Sequence, residues 1–261
     1  MVKNRGKISI IGAGNVATAF ARALHNRGYS ILKIISRSGK SASGLASLCG
    51  SESGSDYIIP NGTELVIISV PDHELPEVTL QIKAGNDVMV VHTAGSFGTD
   101  VFPDNRNYRC GVLYPLQTFS KGRDPGLEKV PLFVEAESPP DLDYLIQVAS
   151  TLSDRVLVVD IETRRRLHLA AVFASNFVNH MLSSAETIIA ESDIDFDVFE
   201  PLVRETLEKA FRLGPSESQT GPAVRNDLNT IEKHLDLLSF SHQLREVYIT
   251  VTESIIKKHS R

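Results

Sequence analysis

Six residues near the start of the chain, Gly12-Ala13-Gly14-Asn15-Val16-Ala17, constrain the fold more than any other feature. They follow the β-branched run Ile8-Ser9-Ile10-Ile11 and open a stretch from Thr18 to Arg27 with helical apolar spacing. A G-x-G-x-x-A turn between a strand and a helix has specific mechanics. Gly12 permits the tight turn, Gly14 lets the backbone approach a ligand, and Ala17 keeps the helix close to the sheet. The free N–H groups and the positive end of the helix then favour an anion. The turn therefore predicts a dinucleotide site with Gly12, Gly14, Asn15 and Val16 around the diphosphate. The competing reading is an ordinary tight turn that binds nothing.

The end of the second strand selects the dinucleotide. A site for NAD needs a carboxylate about 20 residues beyond the glycines to accept from the ribose 2′-hydroxyl. Here the local sequence is Ser36-Arg37-Ser38, and no carboxylate is present. A guanidinium flanked by two hydroxyls suits a 2′-phosphate, so NADP is the expected cofactor. Alternatively, Arg37 is only a solvated loop residue.

Up to residue 160 short apolar runs alternate with helical stretches, as in a mostly parallel sheet wrapped by helices. The predicted strands are 7–11, 31–36, a weak one at 57–59, 65–70, 88–92, 110–114, 132–135 and 156–160. Beyond 160 strand signals almost vanish, and helical patterns run over 162–191, 197–213, 228–238 and 240–258. Gly214-Pro215 ends the second of these. The expected fold is α/β: a Rossmann doubly wound sheet at 1–160, then an all-helical domain at 161–261.

Composition narrows the functional classes. The formal charge is −5, which argues against a nucleic-acid partner. No apolar run approaches the length of a membrane span. The basic lead Met1–Lys7 precedes a short, glycine-broken apolar stretch and reads as the approach to a strand, not a signal peptide. Two cysteines give no disulfide framework, and a cytoplasmic location is expected. The eight histidines and two cysteines lack metal-ligand spacing, so no metal is predicted.

Ligands of such sheets sit beyond the carboxyl ends of the strands. The segments there are Val70-Pro71-Asp72-His73, His92-Thr93-Ala94-Gly95-Ser96 and Tyr114-Pro115-Leu116-Gln117-Thr118. Val70, Pro71, Thr93 and Ala94 would run past the cofactor, and Ser96 and Gln117 would face a small-molecule substrate. On the first long helix of the second domain, seven and eleven helical steps from His168 bring Ser175 and Asn179 onto its stripe, with Asn176 at the margin. His168 is the best-placed proton donor, because its pKa lies near working pH. Catalytic candidates are thus His168, Asn176, Ser96 and Gln117. Arg225 would clamp a carboxylate or pair with Asp227 and pin its loop.

Two rival functions stay open. Ala94-Gly95-Ser96-Phe97-Gly98 nearly matches the G-x-S-x-G elbow of serine hydrolases, and Asp154 or Asp160 with His168 would complete the order Ser, Asp, His. A catalytically silent NADP-binding sensor would share every cofactor feature.

These motifs together resemble a bacterial family of Rossmann-like NADP oxidoreductases with no assigned reaction. The resemblance spans nearly the whole chain: GAGNVA from Gly12, SVPDHEL from Ser69, HTAGS from His92, YPLQTF from Tyr114, HLAAVFASNF from His168 and TGPAVRND from Thr220. It implies distant kinship with pyrroline-5-carboxylate reductase and the 6-phosphogluconate dehydrogenase group. It also implies a homodimer through the helical domain, with substrate bound between the domains. The chain departs from those relatives in two ways. It lacks the lysine that hydroxyacid dehydrogenases carry on the first long helix of the second domain. It also lacks the SPGGTT stretch of the pyrroline-5-carboxylate reductases. Within the family itself, histidine is expected where Tyr114 stands and glycine where Asn226 stands, which weakens any role for those two positions.

Overall fold

The computed structural model describes residues 5–123 and 125–259, which cluster into two compact units that divide after Asn176. The first unit is built on a sheet in which eight strands are described: β1 (Lys7–Ile11), β2 (Ser30–Ile35), β3 (Glu52–Gly54), β4 (Leu65–Ile68), β5 (Met89–His92), β6 (Arg109–Pro115), β7 (Leu132–Ala136) and β8 (Val156–Val158). Their spatial order is β3-β2-β1-β4-β5-β6-β7-β8. All neighbours are parallel except β6 and β7. The order reverses between β1 and β4, and the crevice at that switch point is where such sheets bind ligands.

The pleat divides the apolar residues between two layers. Ile8 and Ile10 face Phe20 and Leu24 of helix α1 (Asn15–Asn26), while Ile11, Ile35, Val66 and Ile68 pack on the opposite face. Each of these side chains is essentially removed from water, worth about 1.5–3 kcal/mol apiece. Helices α2 (Lys40–Cys49), α3 (Leu75–Gln81) and α4 (Pro139–Ser150) complete the layers.

Three features differ from the sequence reading. Residues 57–59 form no strand and contribute one bridge, Ile58 to Lys83. The edge strand is instead the polar β3, whose three residues carry no apolar signal. Helix α5 (Ile161–Ala171) belongs to the first unit, so the break falls after Asn176 and not at 160. Arg164 explains this: its side chain is fully buried, ion-paired with Glu135 of β7 and donating to the Phe97 carbonyl. Between α5 and α6 (Val178–Ile189) lies a π-helical turn, Val172–Phe177. Its i→i+5 bonding departs from the constant helical step that aligned Ser175 and Asn179 with His168.

The second unit contains α6, α7 (Glu200–Leu213), α8 (Leu228–Leu237) and α9 (His242–His259). Gly214 ends α7 at φ +93°, and Asp227 caps α8 by accepting from the Thr230 backbone N–H at 3.1 Å. Asn226 beside it adopts φ +51°, a conformation that glycine or asparagine tolerates. No described helix is long and apolar enough to cross a membrane.

Candidate active site

The glycine turn crosses the backbone at the end of β4. A Cβ on Gly12, at φ +115°, would lie 2.0 Å from the Ser69 carbonyl oxygen, so only glycine fits there. Gly14 is different: its missing Cβ points into open space, with nothing within 4 Å. Gly14 is also the N-cap of α1, where no side chain caps the helix and no acid stands in the first turn. Asn15 does not cap, because its side-chain amide donates to the Phe119 carbonyl at 2.9 Å. The backbone N–H groups at Asn15 and Val16 thus face an opening that glycine keeps clear, an arrangement suited to an anionic diphosphate.

A cleft of about 210 Å³ runs from this turn past Ser36 and Arg37 to Val70, Pro71 and Glu74. Arg37 is exposed, yet its guanidinium bonds the Glu74 carboxylate at 3.0 Å. Ser36 is buried, and its hydroxyl accepts from the Ala42 N–H and the Ser41 hydroxyl, which leaves its own proton to donate. Ser38 is exposed. Beside the same turn, and sharing Ala13 with that cleft, a larger opening of about 450 Å³ is walled by Thr18, Arg22, Ser120, Lys121 and Arg123. Three cations there suit a polyanion.

The loops after β4, β5 and β6 meet at the carboxyl edge. Ile68 pairs with His92, and four residues beyond each lie Asp72 and Ser96, whose carboxylate and hydroxyl are bonded. Thr93 ties the loops together by donating to the Ile68 carbonyl and to the Ser69 hydroxyl, each at 3.2 Å. Ala94 is buried, and its N–H donates to His92 Nδ1 at 3.2 Å. The opposite nitrogen, Nε2, lies 3.1 Å from the Gly98 carbonyl and carries the proton. Burial holds this imidazole neutral, with a pKa pushed down to about 4. His92 therefore shapes the 92–98 loop rather than reacting.

Gly95 supports His168. A Cβ at Gly95 would come within 2.8 Å of His168 Nδ1, so the imidazole rests directly on the loop backbone. His168 Nδ1 is 3.0 Å from the Tyr114 hydroxyl, and the rings meet edge to face. Tyr114 stacks on Phe133 and is buried. Burial, then the nearby Asp72 carboxylate, raises its phenol above the ordinary tyrosine value, so Tyr114 is protonated at neutral pH. Arg165 donates to the Ser96 carbonyl at 2.9 Å, and together with Arg164 it anchors α5 to this loop.

The structure joins His168 to Tyr114 and Ser96 to Asp72, and brings Gln117 and Asn176 into neither pair among the described residues. Gln117 is exposed and accepts from the next backbone N–H. Asn176 lies exposed in the π turn. The Ser-Asp-His order of a hydrolase is not assembled. Ser96 bonds Asp72, Asp160 caps α5, and His168 bonds Tyr114. Tyr114, discounted in the sequence reading because histidine was expected there, is the partner of His168. Asp72 and Glu74 were also missed; the equal offsets of Asp72 and Ser96 beyond paired strand ends were the available signal.

A Rossmann-like domain family matches residues 1–113, and the domain of unknown function DUF2520 matches residues 130–255. Among solved structures, a candidate NADP oxidoreductase from Bacteroides fragilis is 38% identical over 100% of both chains, with a TM-score of 0.88. Protein TM1727 from Thermotoga maritima is 20% identical, over 97% of this chain and all of its own, with a TM-score of 0.79. A reductive aminase from Aspergillus terreus, solved with NADPH and ethyl-5-oxohexanoate, is 13% identical over 97% and 94% of the two chains, with a TM-score of 0.70. No curated protein matches significantly.

Proposed function

The chain belongs to the family of Rossmann-like proteins that carry a DUF2520 domain, and we propose that it is an NADP(H)-dependent oxidoreductase acting on a small carbonyl, hydroxyl or imine compound. The observation that carries this reading is the Tyr114–His168 pair, held at the carboxyl edge of the sheet whose first turn is Gly12–Gly14. A bound nicotinamide dinucleotide would supply or accept the hydride. The amides of Gly14, Asn15 and Val16 hold its diphosphate, and Arg37 with the Ser36 and Ser38 hydroxyls holds the 2′-phosphate. Val70 and Pro71 line the same cleft, and Thr93 and Ala94, bonded to Ser69 and His92, follow β5 at the same edge of the sheet.

The chain's own contribution to the chemistry is the proton. Tyr114 donates to His168 Nδ1, which leaves the His168 proton on Nε2; as that proton passes to a substrate oxygen or nitrogen, the Tyr114 proton moves onto Nδ1, so the imidazole stays neutral and the negative charge left by the transferred proton rests on the Tyr114 oxygen. Ser96, polarised by Asp72, orients that substrate. Two enzymes similar to this chain in fold, a reductive aminase and an imine reductase from Aspergillus terreus, were solved with NADPH and NADPH4 respectively. The kinship with pyrroline-5-carboxylate reductase rests on motif resemblance. Replacing His168 by Ala is expected to lower turnover about 10²–10⁴-fold. Tyr114→Phe should move the pH–rate profile while NADPH still binds in both variants. Full turnover without the His168 imidazole would remove the assignment, and NADPH that is bound but never oxidised by any carbonyl or imine would leave a silent sensor.

A homodimer through the helical unit completes the reading. Helices α6 and α7 bury no residue of their own, and Leu202 and Phe211 are exposed on α7. A second copy of the same apolar surface is the cover that a self-complementary interface supplies. The buried, unpaired thiols Cys49 and Cys110 fit a reducing, cytoplasmic setting.

A further inference from the structure

Glu74 enters the dinucleotide cleft from a part of the chain that the sequence pattern did not connect with it. It lies in a short 3-10 turn after β4, Asp72–Glu74, which its N–H anchors by donating to the Pro71 carbonyl at 2.9 Å. From there its carboxylate reaches Arg37, beyond the end of β2, at 3.0 Å. The two side chains are unequally solvated: Arg37 is 83% exposed and Glu74 only 26%. The carboxylate is thus the better fixed partner, and it lines the same cleft as Gly12–Gly14 and Ser36. His73 Nε2 lies 3.8 Å from the same carboxylate oxygen. Tyr57 closes this end of the cleft, and its phenol is raised by burial and then by the Glu74 and Glu77 carboxylates.

The end of the second strand is where such folds meet the ribose 2′-position. A carboxylate there accepts from a 2′-hydroxyl, whereas a 2′-phosphate is repelled by the like charge and needs the guanidinium. This site holds both groups, bonded to each other. We propose that Glu74 is a specificity-determining residue of the cleft: its carboxylate accepts the 2′-hydroxyl of NADH, and a 2′-phosphate binds only by taking Arg37 away from it. The protein therefore admits both dinucleotides, and its preference for NADPH is smaller than Arg37 alone would set. This inference rests on the dinucleotide reading above.

The test is direct binding. Wild type, Glu74→Gln and Arg37→Gln are titrated with NADPH and NADH by fluorescence. Calorimetry with adenosine 2′,5′-bisphosphate, which has the 2′-phosphate and no nicotinamide, provides a second readout. In E74Q, NADPH and the bisphosphate should tighten about tenfold and NADH weaken severalfold. In R37Q, NADPH should weaken about tenfold while NADH is unchanged. Glu74→Ala should shift the preference in the same direction as E74Q, and thermal melts check that each variant folds. If wild type binds NADPH but the NADPH-to-NADH ratio moves less than about twofold in E74Q and E74A, the inference is overturned. If wild type binds neither dinucleotide, the dinucleotide reading itself fails.

Discussion

The sheet unit and the helical unit use the same amino acids to opposite ends. In the sheet unit Ile10, Phe20, Leu24, Ile34, Leu65 and Ile67 have no exposed surface at all, and even Arg164 is fully buried. In the helical unit Phe211 is 91% exposed, and among the described residues only Ala223, Ile231, Leu238 and Thr252 are buried. The first unit thus carries its own core, whereas the second offers apolar surface outward. The difference teaches that a helical pattern with good apolar spacing identifies a face, not what covers it.

The largest effect expected to break this comparison lies at Gly12. Alanine there combines a φ of +115° with a Cβ 2.0 Å from a backbone oxygen, so Gly12→Ala should cost at least about 3 kcal/mol in chemical denaturation of the sheet unit. A normal unfolding midpoint would mean that the turn yields easily.

The next effect is set by pH. His92 is neutral in the fold down to about 4, while the unfolded chain takes up its proton near the ordinary value of 6.5. Between those values the unfolded state binds more protons, so stability falls as pH drops through the window, by about 3 kcal/mol in all. Denaturation of wild type at pH 7 and pH 4.5, set beside His92→Asn, should show the steeper loss in wild type. Equal slopes would remove His92 from the account.

The smallest effect on folding, and the sharpest on assembly, concerns α7. Leu202→Asp with Phe211→Asp should leave helix content and monomer stability within about 0.5 kcal/mol, because both side chains are exposed within the chain. Light scattering should nevertheless report a fall from two chains to one. An unchanged mass would place the subunit contact elsewhere, or show that there is none.

Much of the fold was legible because its signals are local. The runs at Ile8–Ile11 and Leu65–Ile68 announce strands through their β-branched residues, and Gly214 announces the end of α7. The unrecognised parts depend on what the chain brings together. Nothing in Arg164-Arg165-Arg166 says which arginine is buried, since that follows from where Glu135 and Phe97 lie. The antiparallel β7 and the π turn at Val172–Phe177 likewise lack a local signature. For the site, the glycine turn was readable residue by residue, whereas the partners were not. Tyr114 meets His168, Ser96 meets Asp72 and Arg37 meets Glu74 across 54, 24 and 37 residues of sequence respectively. No carboxylate follows β2 along the chain at Ser36–Ser38, but the fold brings Glu74 to Arg37 across space.

Gly14 offers the most direct measurement of the central claim, that the first turn binds a dinucleotide diphosphate. A Cβ there meets nothing within 4 Å, so Gly14→Ala fills only open space at the turn, where a diphosphate would lie. Calorimetric titration with NADPH should show saturable binding to wild type and binding at least about tenfold weaker to Gly14→Ala, at an unchanged melting temperature. Equal affinities in the two proteins, or no binding to either, would contradict the account.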